Sequence, residues 1–289
     1  MIIRNYKNAV EFLTRVLSTL EENEIQNSLM LGLAQRLAIS AKDSPDEFEC
    51  RTIYRSVHDE LGIIAITMQT PGRGLIVYQH RSDITDAFSM IVADYFQNHR
   101  DPIGVAGPKS TAQRFAQLWQ VVSGVEPRVS HQRLFQCTAV TNFDLAPGKL
   151  RKAFKKEIPM LIDWSMEFSK ETAENPTEIE VEKSLRRDIE EGSLYVWSEG
   201  SQAVSMLKKN RPTTNTIAIS YVFTPKDLRS RGYATAAVHT LTSQLLKSGY
   251  SACTLFTDLS NPTSNKIYQK IGYTPVIDID NYQFHPKSK

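Results

Sequence analysis

Apolar positions recur along this chain with two alternating periods. Val10, Leu13, Leu17 and Leu20 repeat at helical spacing, and Ile25, Leu29, Leu33 and Leu37 do the same. Three strand-like stretches follow, at 52–58, 62–69 and 75–80. Between the last two stands Thr70-Pro71-Gly72-Arg73-Gly74. No helical pattern follows these glycines, so they predict a hairpin turn rather than a phosphate-cradling loop. A helix over 83–97 carries Ile84, Phe88, Ile91, Val92 and Tyr95 on one face. A short strand at 103–106 and a helix at 110–122 come next, the latter with Phe115, Leu118, Trp119 and Val122 inward. A strand over 133–140 ends at the polar, Pro/Gly-bearing stretch Thr141–Gly148. The pattern breaks there, which puts the domain boundary at 141/142: an N-terminal α/β domain at 1–141 and a second domain at 142–289.

The second domain starts with a short strand at 149–153 and a helix at 156–170, bearing Ile158, Leu161, Ile162, Trp164 and Phe168. The charged run 178–191 reads as a helix with a solvated face. Strands at 193–198, 203–208 and 216–223 precede a long amphipathic helix over 230–248. A strand at 252–257, a helix at 262–271 and a last strand from Tyr273 complete the order. Strands, helix, strand, helix, strand predict an α/β (α+β) layer on one mixed sheet.

Composition narrows the class. With 289 residues, 41% of them hydrophobic, the chain can bury a sizeable core. Lys+Arg 34 against Asp+Glu 32 leaves a formal charge of only +2, without the basic excess that nucleic acid or anionic membrane demands. A small-molecule or protein partner is expected instead. Cys50, Cys137 and Cys253 are odd in number and far apart, with no metal-ligand spacing. They read as free thiols, most of them buried, and no metal site is expected. The polar start Met1-Ile-Ile-Arg-Asn-Tyr-Lys is unlike a signal peptide, and no apolar run reaches the roughly 20 residues of a membrane span. The expectation is a cytoplasmic protein.

The candidate chemistry sits at Ile219–Val238. A strand runs into Pro225, a linker holds Arg229-Ser230-Arg231-Gly232-Tyr233-Ala234-Thr235, and a helix starts at once. Free amides and the positive dipole end at a helix start make an anion site, and small residues let phosphate approach the main chain. Arg229 and Arg231 add cationic donors, although both could equally be solvated charges. Downstream, Asn261, Ser264 and Tyr268 are spaced by three and four, so they can share a helix face. Pro262 opens that helix, Asn261 can cap it, and Gly272 can end it.

The two motifs together, Arg-x-x-Gly-x-Ala after a strand and Asn-x-x-Ser-x-x-x-Tyr-x-x-x-Gly-Tyr about thirty residues later, resemble the GCN5-related N-acetyltransferase (GNAT) superfamily. Within it the chain is most similar to the bacterial predicted acetyltransferases that carry an additional N-terminal domain. The resemblance spans about 148–284. It implies a mixed, mostly antiparallel sheet flanked by helices, and acetyl-CoA as co-substrate. It further implies that the main chain of Tyr221, Val222 and Phe223 pairs with the pantetheine arm. Arg229, Ser230, Arg231, Gly232, Tyr233, Ala234 and Thr235 would hold the diphosphate, and Asn261 and Ser264 would also contact the cofactor. Tyr268 is the implied acid for the departing thiolate, with Asn261 beside the thioester. Ala234 stands where a second glycine is commoner.

No general base is dictated; Glu171, Glu174 and Asp258 are candidates. His239 reads as packed or exposed rather than catalytic. The N-terminal half loosely resembles the same layer, but its equivalent loop, Tyr78-Gln-His80-Arg81-Ser-Asp83, has no glycine and puts a carboxylate where phosphate would go. It reads as a degenerate GNAT-like domain that shapes the acceptor site or a homodimer contact. The implied activity is transfer of an acetyl group to a small-molecule or peptide amine by direct attack in a ternary complex. A CoA-binding regulatory protein without turnover, and an acyltransferase for another acyl group, remain alternatives.

Overall fold

A computed structural model describes residues 1–43, 50–81, 87–98, 100–172 and 175–284, with residues 41–43 described in backbone only. Its contacts divide the chain into two compact units. The first comprises Met1–Leu134, Phe256–Asn261 and the chain from Pro275 onward. The second comprises Phe135–Leu255 and Pro262–Thr274. The division thus falls at 134/135, against the 141/142 read from the loss of pattern, and the C-terminal strand counts with the first unit.

In the first unit, β1 (Ile2–Tyr6), α1 (Ala9–Glu21), α2 (Ser28–Asp43), β2 (Ile53–Asp59), β3 (Gly62–Gln69), β4 (Leu75–Gln79), α3 (Ala87–Gln97), β5 (Gly104–Pro108) and α4 (Lys109–Ser123) follow in order. Strands β1 to β4 are antiparallel neighbours. β5 then lies parallel to β4, and β12 (Thr274–Gln283) lies antiparallel to β5. Thr70–Gly74 forms the hairpin turn as expected, with the Arg73 amide donating to the Thr70 carbonyl. The edge strand β1 escapes hydrophobic patterning because only Tyr6 of its five residues is buried. Residues 83–86 of the expected third helix, and Asp83 of the loop before it, lie outside the described residues. Helices α1 and α2 pack on one core with Phe12, Leu20, Met30 and Tyr54. Helices α3 and α4 pack on another with Phe88, Tyr95, Phe115 and Trp119.

In the second unit the order is β7 (Lys149–Lys152), α5 (Ile158–Glu171), α6 (Glu178–Glu190), β8 (Leu194–Glu199), β9 (Gln202–Asn210), β10 (Thr216–Phe223), α7 (Tyr233–Lys247), β11 (Ala252–Asp258) and α8 (Pro262–Ile271). Here β7 to β10 are antiparallel neighbours and β11 lies parallel to β10. Among the described residues the named elements of each unit therefore follow the same sequence: strand, two helices, three strands, helix, parallel strand, helix. The final strand of each comes from the other half of the chain. β12 joins β5 in the first unit, and residues 135–137 of β6 (Arg128–Cys137) count with the second, where β6 neighbours β11. β6 begins five residues earlier than its pattern suggests, since 128–131 are all exposed.

Local chemistry sets the element ends. Thr177 and Glu180 form a capping box at the start of α6, and Val181 and Leu185 turn inward from its charged face. Gly272 ends α8 at φ 116°, where a Cβ would lie 2.6 Å from the Ala139 carbonyl oxygen. Phe135, Ile217, Ile219, Val238, Leu241, Leu255 and Tyr273 build the core beneath α7 and α8. Cys137 and Cys253 are buried in it and Cys50 is exposed; all three are free. No helix among the described residues is long and apolar enough to cross a membrane.

Candidate functional site

The site grows from an irregular strand. β10 pairs with β9 at Ser220↔Lys208 and next at Phe223↔Met206, so three steps on β10 match two on β9. The extra residue makes a bulge, and Tyr221 takes it up at φ 60°, an unusual conformation for an aromatic residue. On its other side, β10 pairs with β11 only at 216–218, ending at Ala218↔Thr254. The main chain of 219–223 thus runs on past the end of that ladder. Such a segment offers backbone N–H and C=O groups to an extended ligand, in the manner of an added strand.

Side chains fix the bulge. The Phe223 carbonyl accepts from Ser205 Oγ at 2.8 Å, and Thr224 Oγ1 donates to Ser205 Oγ at 2.9 Å. Phe168 meets the Tyr221 ring edge-on at 4.8 Å, and Lys208 Nζ lies 5.0 Å from its centroid. Lys208 is itself held by the buried Asp188 at 3.1 Å. Val222 points the other way and packs on the core under α7.

After β10 the chain reaches α7 through two left-handed residues, Ser230 at φ 64° and Gly232 at φ 80°. Gly232 occupies the N-cap position, and no side chain caps the helix. There is no acidic residue in the first turn either, so the positive dipole end and the first amides are left to solvent or a ligand. Space above Gly232 is open: a Cβ built there meets only the Ala146 Cβ, at 3.5 Å. Glycine is required here by φ rather than by crowding.

The predicted loop residues do different things. Arg229 is committed to the protein: Nη2 donates to Glu171 Oε1 at 2.6 Å, Nε donates to the Thr224 carbonyl at 2.9 Å, and the guanidinium lies 5.6 Å from the Phe223 ring. It braces the loop against the end of α5. Arg231 is exposed and donates to the Asp227 carbonyl at 3.3 Å. Tyr233 is buried and donates to Glu199 Oε2 at 2.6 Å, a hydrogen bond that raises its pKa. Only its main chain faces the loop's task. Ala234 and Thr235 are half-buried on the first turn.

Tyr268 lies on α8, buried, with its ring edge-on to Tyr273 at 6.0 Å. Burial pushes its phenol up to about 12. Ser264, one turn earlier, is half-buried. Asn261 directly precedes α8, is exposed, and donates its amide to the Asp258 carbonyl at 3.1 Å; by contacts it belongs to the first unit. Of the carboxylates considered as bases, Glu171 is held by Arg229, Asp258 accepts from the Ser260 amide at 2.7 Å, and Glu174 lies outside the described residues. His239 is packed: Nε2 lies 3.0 Å from the Thr141 carbonyl and its ring meets Phe143 edge-on at 5.1 Å. Sequence reasoning missed Ser205 and Lys208 as partners of the site, and the pairing of Glu171 with Arg229, because each reaches it across the fold rather than along the chain.

A strand that leaves its parallel neighbour, bulges, and feeds an uncapped glycine-started helix is now matched by family comparison. Residues 158–273 fit the model of the Acetyltransferase (GNAT) family. That segment is similar to the acetyltransferase domain of this family over about 40% of the chain. Solved structures extend the likeness over the whole chain. An acetyltransferase of the GNAT family from Colwellia psychrerythraea aligns with TM-score 0.61 and 11% identity, over 99% of this chain and all of that one. A GCN5-related N-acetyltransferase from Sphaerobacter thermophilus aligns at 0.63 and 14%, covering 97% and 94%. A Drosophila protein aligns at 0.70 and 11%, covering 99% of both chains. At such identities the likeness concerns the fold, and it includes the N-terminal half. No curated protein matches the sequence. The GNAT fold supports an acyl or acetyl transferase.

Proposed function

We propose that the chain transfers an acetyl group from acetyl-CoA to the nitrogen of a small-molecule or peptide amine, by direct attack in a ternary complex. The observation that carries this reading is the end of the β10–β11 ladder at Ala218↔Thr254, followed within fifteen residues by the uncapped start of α7. Pantetheine carries amides that suit the main chain of Tyr221, Val222 and Phe223. A diphosphate suits the amides from Ser230 to Thr235, with Arg231 as the exposed cation and Arg229 as the brace. Ser264 and Asn261 flank the start of α8 as further cofactor contacts.

The amine nitrogen attacks the thioester carbonyl, the C–S bond breaks, and the sulfur leaves with the bonding pair. Tyr268 gives its proton to that sulfur, and the amine sheds one to solvent. A phenol held at about 12 keeps its proton at any physiological pH, which suits an acid that must be loaded at each turnover.

The first unit has the same element order among the described residues, yet its parallel strands stay close together past the end of their short ladder. β4 and β5 pair at Leu75↔Val105 and Ile76↔Ala106, and a Cβ on Gly107 would lie 2.6 Å from the Val77 carbonyl. The cavity beside them, lined by Met30, Val77 and Gly107, holds about 30 Å³, water-sized rather than pantetheine-sized. We read this half as a degenerate copy that leaves cofactor binding to the second unit. Calorimetric titration with acetyl-CoA should give one site per chain, and two would overturn the reading. CoA release with an amine panel tests the activity. Acetyl-CoA binding with no release for any amine would overturn the enzymatic reading.

A further inference from the structure

A polar cleft in the first unit lies at the opposite end of its sheet from the carboxyl ends of β4 and β5. It is built where β1 ends, β2 begins and α3 ends. β2 runs parallel to β4, because each is antiparallel to β3, so the start of β2 marks the end of the sheet where β4 also starts. The ligand end of a parallel pair is the other one. This cleft therefore has no counterpart in the cofactor site proposed above.

Arg55 is its decisive residue. The side chain leaves β2 and is 1% exposed, an unusual state for a guanidinium. Its Nε donates to Asn5 Oδ1 at 2.9 Å, and Nη2 meets Asp94 Oδ2 at 2.9 Å. The Tyr95 ring lies 4.8 Å from the guanidinium carbon. Nη1 is buried without an acceptor among the described residues. A buried cation with an unanswered donor is costly, and such groups mark sites that a ligand completes.

The surroundings share that sign. Lys7 and Arg100 line the same cleft, both exposed, and no carboxylate among the described residues pairs with either. Asp94 is the one acidic residue of the lining, and its other oxygen already accepts from Asn98 Nδ2 at 3.1 Å. In the last turn of α3 the Asp94 carbonyl accepts from Asn98 and the Tyr95 carbonyl from the Arg100 amide. Among the described residues three cations thus share the cleft with one carboxylate across about 410 Å³, within the size range of small-molecule sites.

We propose that this cleft binds the oxyanion head of a small molecule, a phosphate or carboxylate group, between Arg55, Lys7 and Arg100. The unanswered Nη1 donors suit either head, and the two rim cations add charge without geometry. The site does not depend on the acetyltransferase reading.

The test is calorimetric titration of the full chain with inorganic phosphate and, separately, with citrate, at fixed ionic strength. Saturable binding of at least one ion is expected. The Lys7→Ala/Arg100→Ala double variant should weaken it about tenfold or more, with circular dichroism and melting temperature unchanged. Should that variant fail to fold, Asn98→Asp adds a carboxylate at the rim and should weaken binding likewise. Binding of phosphate alone would identify a phosphate head, and of citrate alone a carboxylate head. No saturable binding of either ion, or binding that persists undiminished in the folded variant, would overturn the proposal. The second outcome would locate the ion elsewhere, such as the start of α7.

Discussion

Tyr268 and Tyr273 are neighbouring phenols with different duties. Tyr273 shares a hydrogen bond with Thr242 Oγ1 at 2.8 Å within the core, and burial holds its pKa well above the ordinary value. Replacing it with Phe strands the Thr242 hydroxyl and should cost about 1–3 kcal/mol of stability, measured by urea unfolding. Tyr268→Phe should behave oppositely. Stability stays close to the parent, while kcat with a responsive amine falls about 10²-fold or more and KM for acetyl-CoA changes little. Equal turnover would remove Tyr268 from the chemistry. At Gly232, any L-residue must adopt φ 80°. Gly232→Asp also places a carboxylate over the open amides, and acetyl-CoA affinity should drop about tenfold or more by calorimetry.

At the scale of elements, the β10 bulge and the α7 start form one device, since Arg229 ties the loop between them to α5 through Glu171. Both partners are about 40% exposed, so the pair adds little to stability, within about 1 kcal/mol. Its effect should appear in binding instead. Arg229→Ala and Glu171→Ala are each expected to raise the Kd for acetyl-CoA several-fold, and the double variant no further than the worse single one. Fully additive losses would show that Arg229 acts on the ligand directly. Much of this region was legible in the chain. β10 and α8 have the bounds that β-branched residues and Pro262 announce, whereas α7, expected from 230, starts at Tyr233 because Ser230 and Gly232 are left-handed. The bulge was not, because an extra residue in a strand becomes visible only against its partner's register. Nor was the Arg229–Glu171 pair, whose members are 58 residues apart. β1 stayed hidden for a simpler reason: an edge strand with one buried residue has no period to detect.

For the molecule as a whole, several buried acids share one consequence. Cys253 moves from 9.0 to about 12, and Tyr95 and Tyr268 from 10.0 to about 12, all through burial. Each folded pKa is raised, so the unfolded chain loses these protons first. Their contribution is complete below pH 9 and is lost as pH climbs towards 12. The melting temperature should therefore fall steadily across pH 9–12, with a shallower fall in Cys253→Ala and Tyr268→Phe. Truncation after Thr274 gives a second whole-chain prediction. It removes the strand that pairs with β5 and the Phe284 ring packed 6.1 Å from Trp119. The first unit should lose its cooperative unfolding transition, although every deleted residue lies at the far end of the sequence. The boundary read at 141/142 missed this exchange, because hydrophobic pattern records what a strand buries and not which half of the chain it joins.

That exchange bears on how the protein is made. Most of the first unit leaves the ribosome before the second, but it stays unfinished until β12 emerges. At roughly 5–20 residues per second, some 150 residues beyond Leu134 take about 7–30 s to synthesise. Throughout that interval β5 presents an open edge and Trp119 lacks the cover of Phe284. The nascent chain is thus an aggregation-prone intermediate by construction, and folding assistance matters most for the half of the protein that is translated first.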